Sequence, residues 1–151
     1  MIVCVEVALI IPDNEARTAL ATLQRLGVAA EGLERADLYR FDVAADFADA
    51  LLATLRGSES IFNPNKHALR VRQADGPVPG EVWVDEIGHE ARSSENRVRV
   101  AGRLLPGVRS CERFKAWRLA AANGSPASSA VLDAATETLL CNPAFQKVIR
   151  A

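Results

Sequence analysis

Carboxylates and a histidine gathered in one short segment are the first residues whose types could do chemistry. The segment DEIGHE (residues 85–90) places Asp85, Glu86, His89 and Glu90 within six positions. Carboxylate oxygens and imidazole nitrogens are ligands for divalent cations, and His89 with Asp85 and Glu86 would suit a small acid–base enzyme. The same residues fit the charged end of a strand and its turn, which is the interpretation favoured here.

The second histidine and the thiols give weaker signals. His67 follows an Asn-Pro turn, and nothing near it in sequence marks it as a general base. Cys4, Cys111 and Cys141 are odd in number and lie among apolar neighbours, which is typical of buried thiols in a cytosolic protein. Gly-rich phosphate loops, His-Glu-x-x-His helices and Cys-x-x-Cys pairs do not occur. We therefore predict no catalytic residue, no cofactor and no bound metal.

The bulk composition excludes several classes of protein. The 151 residues are 49% apolar and 25% charged, which is typical of one ordinary domain or two small ones. A formal net charge of −1 argues against nucleic acid or an anionic membrane as partner. No run approaches the roughly 18 apolar residues of a membrane span. The start, MIVCVEVALI, alternates like a strand and lacks signal-peptide features, so we predict a cytoplasmic protein.

Internal similarity indicates that the chain contains the same unit twice. Asn63-Pro64 and Asn142-Pro143 are 79 residues apart (142 − 63). The segment ERADLYRF (34–41) aligns with ERFKAWRL (112–119) at an offset of 78 (112 − 34). Two further alignments place residues 14–28 over 94–108 and residues 3–7 over 82–86. We predict a first repeat over 1–72, a linker over 73–80 and a second repeat over 81–151.

Hydrophobic periodicity predicts the same order of elements in both repeats. The first strand has Val3, Val5 and Val7 on one face and is expected to be half-buried. The following helix should be capped by Asp13 and end at Gly27. The remaining predicted elements of the first repeat are a strand at 36–43, a helix at 45–56 and a strand at 67–71.

The second repeat is predicted to follow the same βαβαβ order. A helix should run from about Ser94 to Leu105, and a later one should start at Ser125-Pro126, with Ser125 as its N-cap. The other predicted elements are strands at 81–87, 111–120 and 147–151 and the body of the last helix at 127–140. The expected fold is α+β: two repeats in a pseudo-twofold pair, with antiparallel sheets and helices on one face.

Arginine dominates the basic residues. Among 18 cationic residues, only three are lysines: Lys66, Lys115 and Lys147. Arg97, Arg99 and Arg103 lie on the polar side of one predicted helix. Arginine suits bidentate contacts with carboxylates at interfaces, so these residues are either a solvated helix face or a docking site for an acidic surface.

Large aromatic residues on the predicted strands are the other interface candidates. They are either core side chains or anchors that a partner would cover. The residues in question are Tyr39, Phe41, Trp83, Phe114 and Trp117.

Three segments give the chain a resemblance to a known family. ALATLQRLGV (19–28) is similar to the first helix of PurS and its Leu-Gly end, and LLCNPAFQKVI (139–149) resembles the Asn-Pro signature of that family. SIFNPNKHALRV (60–71) is a looser version of the same signature. The tandem arrangement also resembles the N-terminal region of the long, single-chain synthase, in which two such halves mimic a PurS dimer.

The resemblance implies a function. PurS is the small subunit of phosphoribosylformylglycinamidine synthase in purine biosynthesis, an ATP- and glutamine-dependent ligase complex. It bridges a synthetase, which activates the formylglycinamide ribonucleotide, and a glutaminase, which supplies ammonia. By resemblance this chain would be a non-catalytic bridging subunit with those two partners, and a homodimer is allowed. The alternative is a diverged small-molecule-binding or regulatory module with the same fold.

Overall fold

The chain has the predicted α+β fold, with a six-stranded antiparallel sheet and three α-helices among the residues described. The structure is a computed structural model that describes residues 1–86, 98–100 and 103–151, with the backbone alone described at 86, 98–100 and 103. The strands are β1 (Ile2–Leu9), β2 (Gly32–Val43), β3 (His67–Arg72), β4 (Glu81–Glu86), β5 (Val98–Val100), β6 (Arg103–Leu105), β7 (Val108–Ala120) and β8 (Gln146–Arg150). The helices are α1 (Asn14–Arg25), α2 (Ala48–Arg56) and α3 (Ser129–Ala135), with a 3-10 turn at Ala45–Phe47 and a π-helical turn at Thr136–Leu140.

Helix α1 begins and ends where the sequence predicts. The Asp13 side chain accepts a hydrogen bond from the backbone N–H of Ala16 at 3.1 Å, which satisfies one of the free donors of the first turn. Leu23 is fully buried on the inner face. The helix stops before Gly27, whose φ of +86° is a conformation that glycine adopts without strain.

The predicted helix from about Ser94 to Leu105 is wrong in its described part. Residues 98–100 and 103–105 form the antiparallel strands β5 and β6, with Val98 opposite Leu105. The alternation Arg-Val-Arg-Val at 97–100 has the period of a strand, and this local pattern prevailed over the wider helical spacing. Residues 94–97 and 101–102 lie outside the described part of the chain.

The start of the last helix also differs from the prediction. Ser128, not Ser125, is the N-cap of α3, and its hydroxyl accepts from the backbone N–H of Val131 at 3.3 Å. Pro126 instead forms an isolated β-bridge with Ala120, at the end of β7. The cap therefore lies three residues later than the sequence suggested, because this bridge occupies the segment around Pro126.

The order of strands in the sheet is β3-β1-β2-β7-β4-β8. At one edge, β3 pairs with β1, with Leu9 opposite His67 and Val5 opposite Val71. At the other edge, β8 pairs with β4, with Glu86 opposite Gln146. The outer strand on each side is thus the one that follows an Asn-Pro turn.

The chain divides into two compact units, each assembled from three segments. Unit 1 contains residues 1–11, 37–75 and 88–113, and unit 2 contains residues 12–36, 76–87 and 114–151. The boundaries fall inside β2 and β7, so each of these long strands contributes to both units. Each unit therefore takes residues from both halves of the sequence.

Each unit has its own apolar core. In unit 1, Val3, Val5 and Val7 of β1 pack with Leu51 and Leu55 of α2. In unit 2, side chains of α1 and α3 pack against β4 and β7; the buried members are Ala16, Leu23, Leu132, Ala135, Val82, Val84, Trp117 and Leu119. Within the described residues, no helix has the length and apolar character needed to cross a membrane.

Strand β1 is buried on both sides, not on one as the alternation predicted. Cys4 and Glu6, which alternate with the core valines, are only 2% and 3% exposed. Glu6 is accommodated by two arginines of the neighbouring strand β3, with Arg70 Nη2 at 2.5 Å and Arg72 Nη1 at 3.2 Å. A buried carboxylate needs such partners, because its desolvation would otherwise be costly.

Candidate functional site

The five aromatic residues singled out from the sequence are all buried. Tyr39 and Phe41 belong to the core of unit 1, with ring centroids 6.3 Å apart. Trp83 contacts Phe114 in unit 2 at a centroid distance of 5.1 Å, and Trp117 belongs to the core of that unit. Their burial favours the core alternative that the sequence left open, so a docking surface has to be sought among other residues.

The arginines proposed for docking lie at the edge of the described structure. Arg99 and Arg103 are in β5 and β6, not on a helix, and their side chains are outside the described part of the chain. Arg97 lies entirely outside it. Over 98–100 and 103–105, a pair of strands therefore replaces the helical face that these three residues were expected to share.

The metal-like segment is only partly described. Asp85 is paired with Lys147 at 3.3 Å, and Glu86 ends β4, while His89 and Glu90 lie outside the described residues. His67 has a structural role, because its Nδ1 accepts a hydrogen bond from the backbone N–H of Asn63 at 3.0 Å. Across residues 1–86, 98–100 and 103–151, no group of three or more potential metal ligands is found.

The thiols are in environments that favour the protonated form. Burial, followed by the neighbouring Glu112 carboxylate, raises the pKa of Cys111 to about 12. Burial also raises the pKa of Cys141, and Cys4 is almost completely buried. Because the thiolate is the reactive species, neither Cys111 nor Cys141 is activated as a nucleophile.

A cluster of charges surrounds the start of α1. Arg35 donates to both carboxylate oxygens of Asp13, at 3.0 Å and 3.2 Å, and also pairs with Glu15. Lys115 lies 3.0 Å from Glu15 and 5.8 Å from the centroid of the Trp117 ring. Burial acts to raise the pKa of Asp13, but the hydrogen bonds from Arg35 and from the backbone outweigh it, so the pKa lies below its ordinary value. The cluster holds the first turn of α1 onto strands β2 and β7.

Two arginine–glutamate pairs in β2 and β7 have the same form. In unit 1, Arg40 Nε lies 2.6 Å from Glu112 Oε2, and in unit 2, Arg118 Nη1 lies 3.4 Å from Glu34 Oε2. The two arginines are 78 residues apart (118 − 40), and so are the two glutamates (112 − 34). Each pair thus joins an arginine of one half of the sequence to a glutamate of the other half.

Arg118 also reaches a second acid that sequence reasoning missed. Glu81 is fully buried; its Oε1 lies 3.3 Å from Arg118, and its Oε2 accepts from the backbone N–H of Val78 at 3.0 Å. Arg40 makes a comparable second contact, with the backbone carbonyl of Asp75 at 3.2 Å. The linker is consequently attached to the protein by specific hydrogen bonds. The place of Glu81 on the same side of β4 as Trp83 was the one available sequence signal for its burial.

The two Asn-Pro turns have the same pattern of hydrogen bonds. In the first, the Asn63 carbonyl accepts from the N–H of Lys66 and of His67, and its Oδ1 accepts from the N–H of Asn65. In the second, the Asn142 carbonyl accepts from the N–H groups of Phe145 and Gln146, and its Oδ1 accepts from the N–H of Ala144. The side chain four residues after each Asn accepts from the Asn N–H: Nδ1 of His67 at 3.0 Å and Oε1 of Gln146 at 2.8 Å.

Two exposed helix faces carry opposite charge. The outer face of α1 forms an open groove of about 590 Å³ lined by Asn14, Arg17, Thr18, Ala21, Thr22 and Arg25. The outer face at the start of α2 carries Asp46 and Asp49, followed by exposed Ala50 and Ala53. The residues that line the groove all belong to one helix and the groove is open to solvent, so it suits the docking of a protein surface better than the binding of a small molecule.

Comparison with known proteins assigns the chain to no family. A scan against models of protein families and a search of curated proteins each return no match.

Proposed function

We propose that the chain is a covalently joined pair of PurS-like repeats that acts as a non-catalytic bridging subunit of phosphoribosylformylglycinamidine synthase. The repeats are residues 1–72 and 81–151. The proposal rests on the resemblance of the Asn-Pro segments to the PurS signature and on three structural relationships between the halves.

The order of strands in the sheet is the observation that carries the proposal. Exchanging the repeats turns β1 into β4, β2 into β7 and β3 into β8. The order β3-β1-β2-β7-β4-β8 then becomes the same order read from the opposite edge. A dimer with twofold symmetry has this property, because the same surface of each subunit meets its copy. The strand order therefore supports a dimer-like arrangement within one chain.

The ion pairs of β2 and β7 support the same conclusion. In a symmetric interface, if residue i of one copy contacts residue j of the other, then j of the first contacts i of the second. Arg40 with Glu112 and Arg118 with Glu34 satisfy this reciprocity at the offset of 78 found in the sequence (118 − 40).

The turns and their strands give a third line of support, and refine the alignment. His67 and Gln146 have the same role in turns 79 residues apart (146 − 67), and their partners in β1 and β4 are Leu9 and Glu86. Strand β4 therefore corresponds to β1 at an offset of 77 (86 − 9), two residues less than the 79 suggested by VCVEV over VWVDE. An offset changed by two keeps every side chain on the same face of its strand.

A bridging subunit acts by position, not by chemistry of its own. Two PurS-like repeats would hold the synthetase and the glutaminase in a fixed relation, so that ammonia passes between their active sites without escaping. The high pKa of the Cys111 thiol and the hydrogen bond that His67 Nδ1 accepts from the backbone N–H of Asn63 fit such a role. Because the predicted aromatic anchors are buried, docking would use exposed surfaces instead.

The test is reconstitution with purified synthetase and glutaminase from the same organism. The chain should form a complex with both enzymes in size-exclusion chromatography with light scattering. It should raise the rate of product formation with glutamine as the nitrogen source. It should leave the rate with ammonium chloride unchanged, because free ammonia needs no bridge.

A chain that binds neither enzyme and leaves the glutamine-dependent rate unaltered would overturn the proposal. If such a chain showed a rise in melting temperature with nucleotides or amino acids, the alternative of a small-molecule-binding module would replace it.

A further inference from the structure

Two exposed helix faces of the chain have complementary charge. On α1, Arg17, Thr18, Ala21 and Arg25 are exposed, and on the segment around α2, Asp46, Asp49, Ala50 and Ala53 are exposed. Arg17 and Ala21 are four residues apart, as are Asp49 and Ala53, and this spacing places the two side chains of each pair on one helix face. Each face thus has small side chains beside charges of a single sign.

The charges on both faces have no partner within the described part of the chain. None of Arg17, Arg25, Asp46 and Asp49 takes part in an ion pair there. The one other charged residue of α1, Glu15, is already paired with Arg35 and Lys115. The net field of the outer face of α1 is therefore positive, and that of the first turn of α2 is negative.

The geometry suits direct contact between the two helices. Arg17 and Arg25 are about 12 Å apart along α1, at 1.5 Å per residue. Between them, the small side chains of Thr18 and Ala21 allow a second helix to approach the backbone of α1 closely. On α2, the small side chains of Ala50 and Ala53 allow the same close approach. Small side chains that allow close approach, with opposite charges beside them, are the elements of a specific helix pair.

We propose that these faces join copies of this chain, with the basic face of α1 in one copy against the acidic face of α2 in the next. The argument for a second copy is that both complementary surfaces are present in this one sequence. Each contact joins α1 of one copy to α2 of another, so the association gives either a closed dimer that contains two such contacts or a head-to-tail assembly that contains one per pair of copies. A pair of single helix faces is a small interface, so the association is weak and salt-dependent. The proposal is independent of the bridging function.

The experiment is sedimentation equilibrium of the purified chain at protein concentrations up to about 0.5 mM, in low and in high salt. In low salt the average mass should rise with concentration above the monomer mass of 16.3 kDa, and high salt should suppress the rise. The double variants R17E/R25E and D46K/D49K should each associate about tenfold or more weakly than wild type. An equimolar mixture of the two variants should associate again, because each supplies the surface the other needs.

The matched control is the double variant K66E/E137K, which reverses two exposed charges outside both helix faces. This variant should associate as strongly as wild type. Far-UV circular dichroism verifies that each variant is folded, and D46N/D49N replaces the lysine variant if the latter loses helix. The proposal is overturned if wild type stays monomeric at every concentration. Association of the reversed variants at wild-type strength, or a mixture that remains monomeric, overturns it equally.

Discussion

Arg35 holds both carboxylate oxygens of Asp13, at 3.0 Å and 3.2 Å, while one of those oxygens also caps helix α1. One carboxylate thus fixes the start of a helix and attaches that start to strand β2. Replacing Asp13 by Ala removes the cap and the ion pair, and should lower the free energy of unfolding by about 1–2 kcal/mol. Asp13→Asn keeps an oxygen for the cap and should lose less. Urea unfolding measures both, and equal losses in the two variants would contradict the role of the cap.

The same carboxylate makes stability depend on pH. The pKa of Asp13 is lower in the folded protein than its ordinary value of 3.8, so the unfolded chain takes up a proton first as pH falls. The contribution of the charged group is present above pH 3.8 and is lost as pH falls through the folded pKa. The difference in stability between wild type and Asp13→Asn should therefore be constant near neutral pH and shrink below 3.8. A difference that does not shrink in acid would exclude a charge effect.

The thiols should differ in reactivity. Cys141 is half-buried, whereas Cys4 and Cys111 are buried and the pKa of Cys111 is about 12. At pH 8, iodoacetamide should modify Cys141 before the other two thiols, which should react only on unfolding. Mass spectrometry of tryptic peptides measures the order. In Cys141→Ser the native protein should be almost unmodified, and rapid labelling of Cys111 would contradict its burial.

Two glycines with positive φ provide a matched comparison. Gly107, at φ +74°, lies against Phe47, so that an added Cβ would be 2.7 Å from the Phe47 Cβ, whereas Gly124, at φ +77°, has open space around it. Gly124→Ala should cost about 1–2 kcal/mol, from the left-handed backbone alone. Gly107→Ala should cost about 1–3 kcal/mol more, because the Phe47 ring has to move. Thermal and urea unfolding of the two variants measure the difference, and equal costs would mean that Phe47 gives way freely.

The equivalence of the two Asn-Pro turns predicts that their accepting side chains can be exchanged. His67→Gln and Gln146→His each retain an acceptor for the N–H of the Asn, and should change stability little. His67→Ala and Gln146→Ala leave that N–H without its partner, and should each cost about 0.5–1.5 kcal/mol. If the exchanges cost as much as the alanine variants, the two turns are not equivalent.

Local signals in the sequence were sufficient for most of the elements. Asp13, the apolar stripe through Leu23 and the stop at Gly27 act within one helix, and α1 was predicted with its correct ends. The segment ending at Leu105 was ambiguous, because its residues satisfy helical spacing over twelve positions and strand alternation over four. The strand pairing of Val98 with Leu105 decides between these, and that pairing is not a local property.

Alternation alone did not establish that acidic residues are buried, although the place of Glu81 on the same side of β4 as Trp83 was a signal for it. Glu6 lies where a strand with one solvated face would place it in water, yet both Glu6 and Glu81 are buried. Their partners are arginines on other strands: Arg72 of β3 for Glu6 and Arg118 of β7 for Glu81. Predicting that these carboxylates are buried requires knowing which strands are neighbours in the sheet, and the repeat pattern of the sequence does not give that order.

Both units draw their cores from the two halves of the sequence. The core of unit 1 includes Leu105, Val108 and Cys111 from the second half, and that of unit 2 includes Leu23 and Leu33 from the first. Cleaving the backbone between residues 73 and 80 would leave each fragment without part of both cores. The separated pieces should be poorly folded alone and regain structure on mixing, so the chain is suited to fragment complementation. The two halves of the sequence can therefore diverge only as far as each still supplies its share of the side chains in both cores.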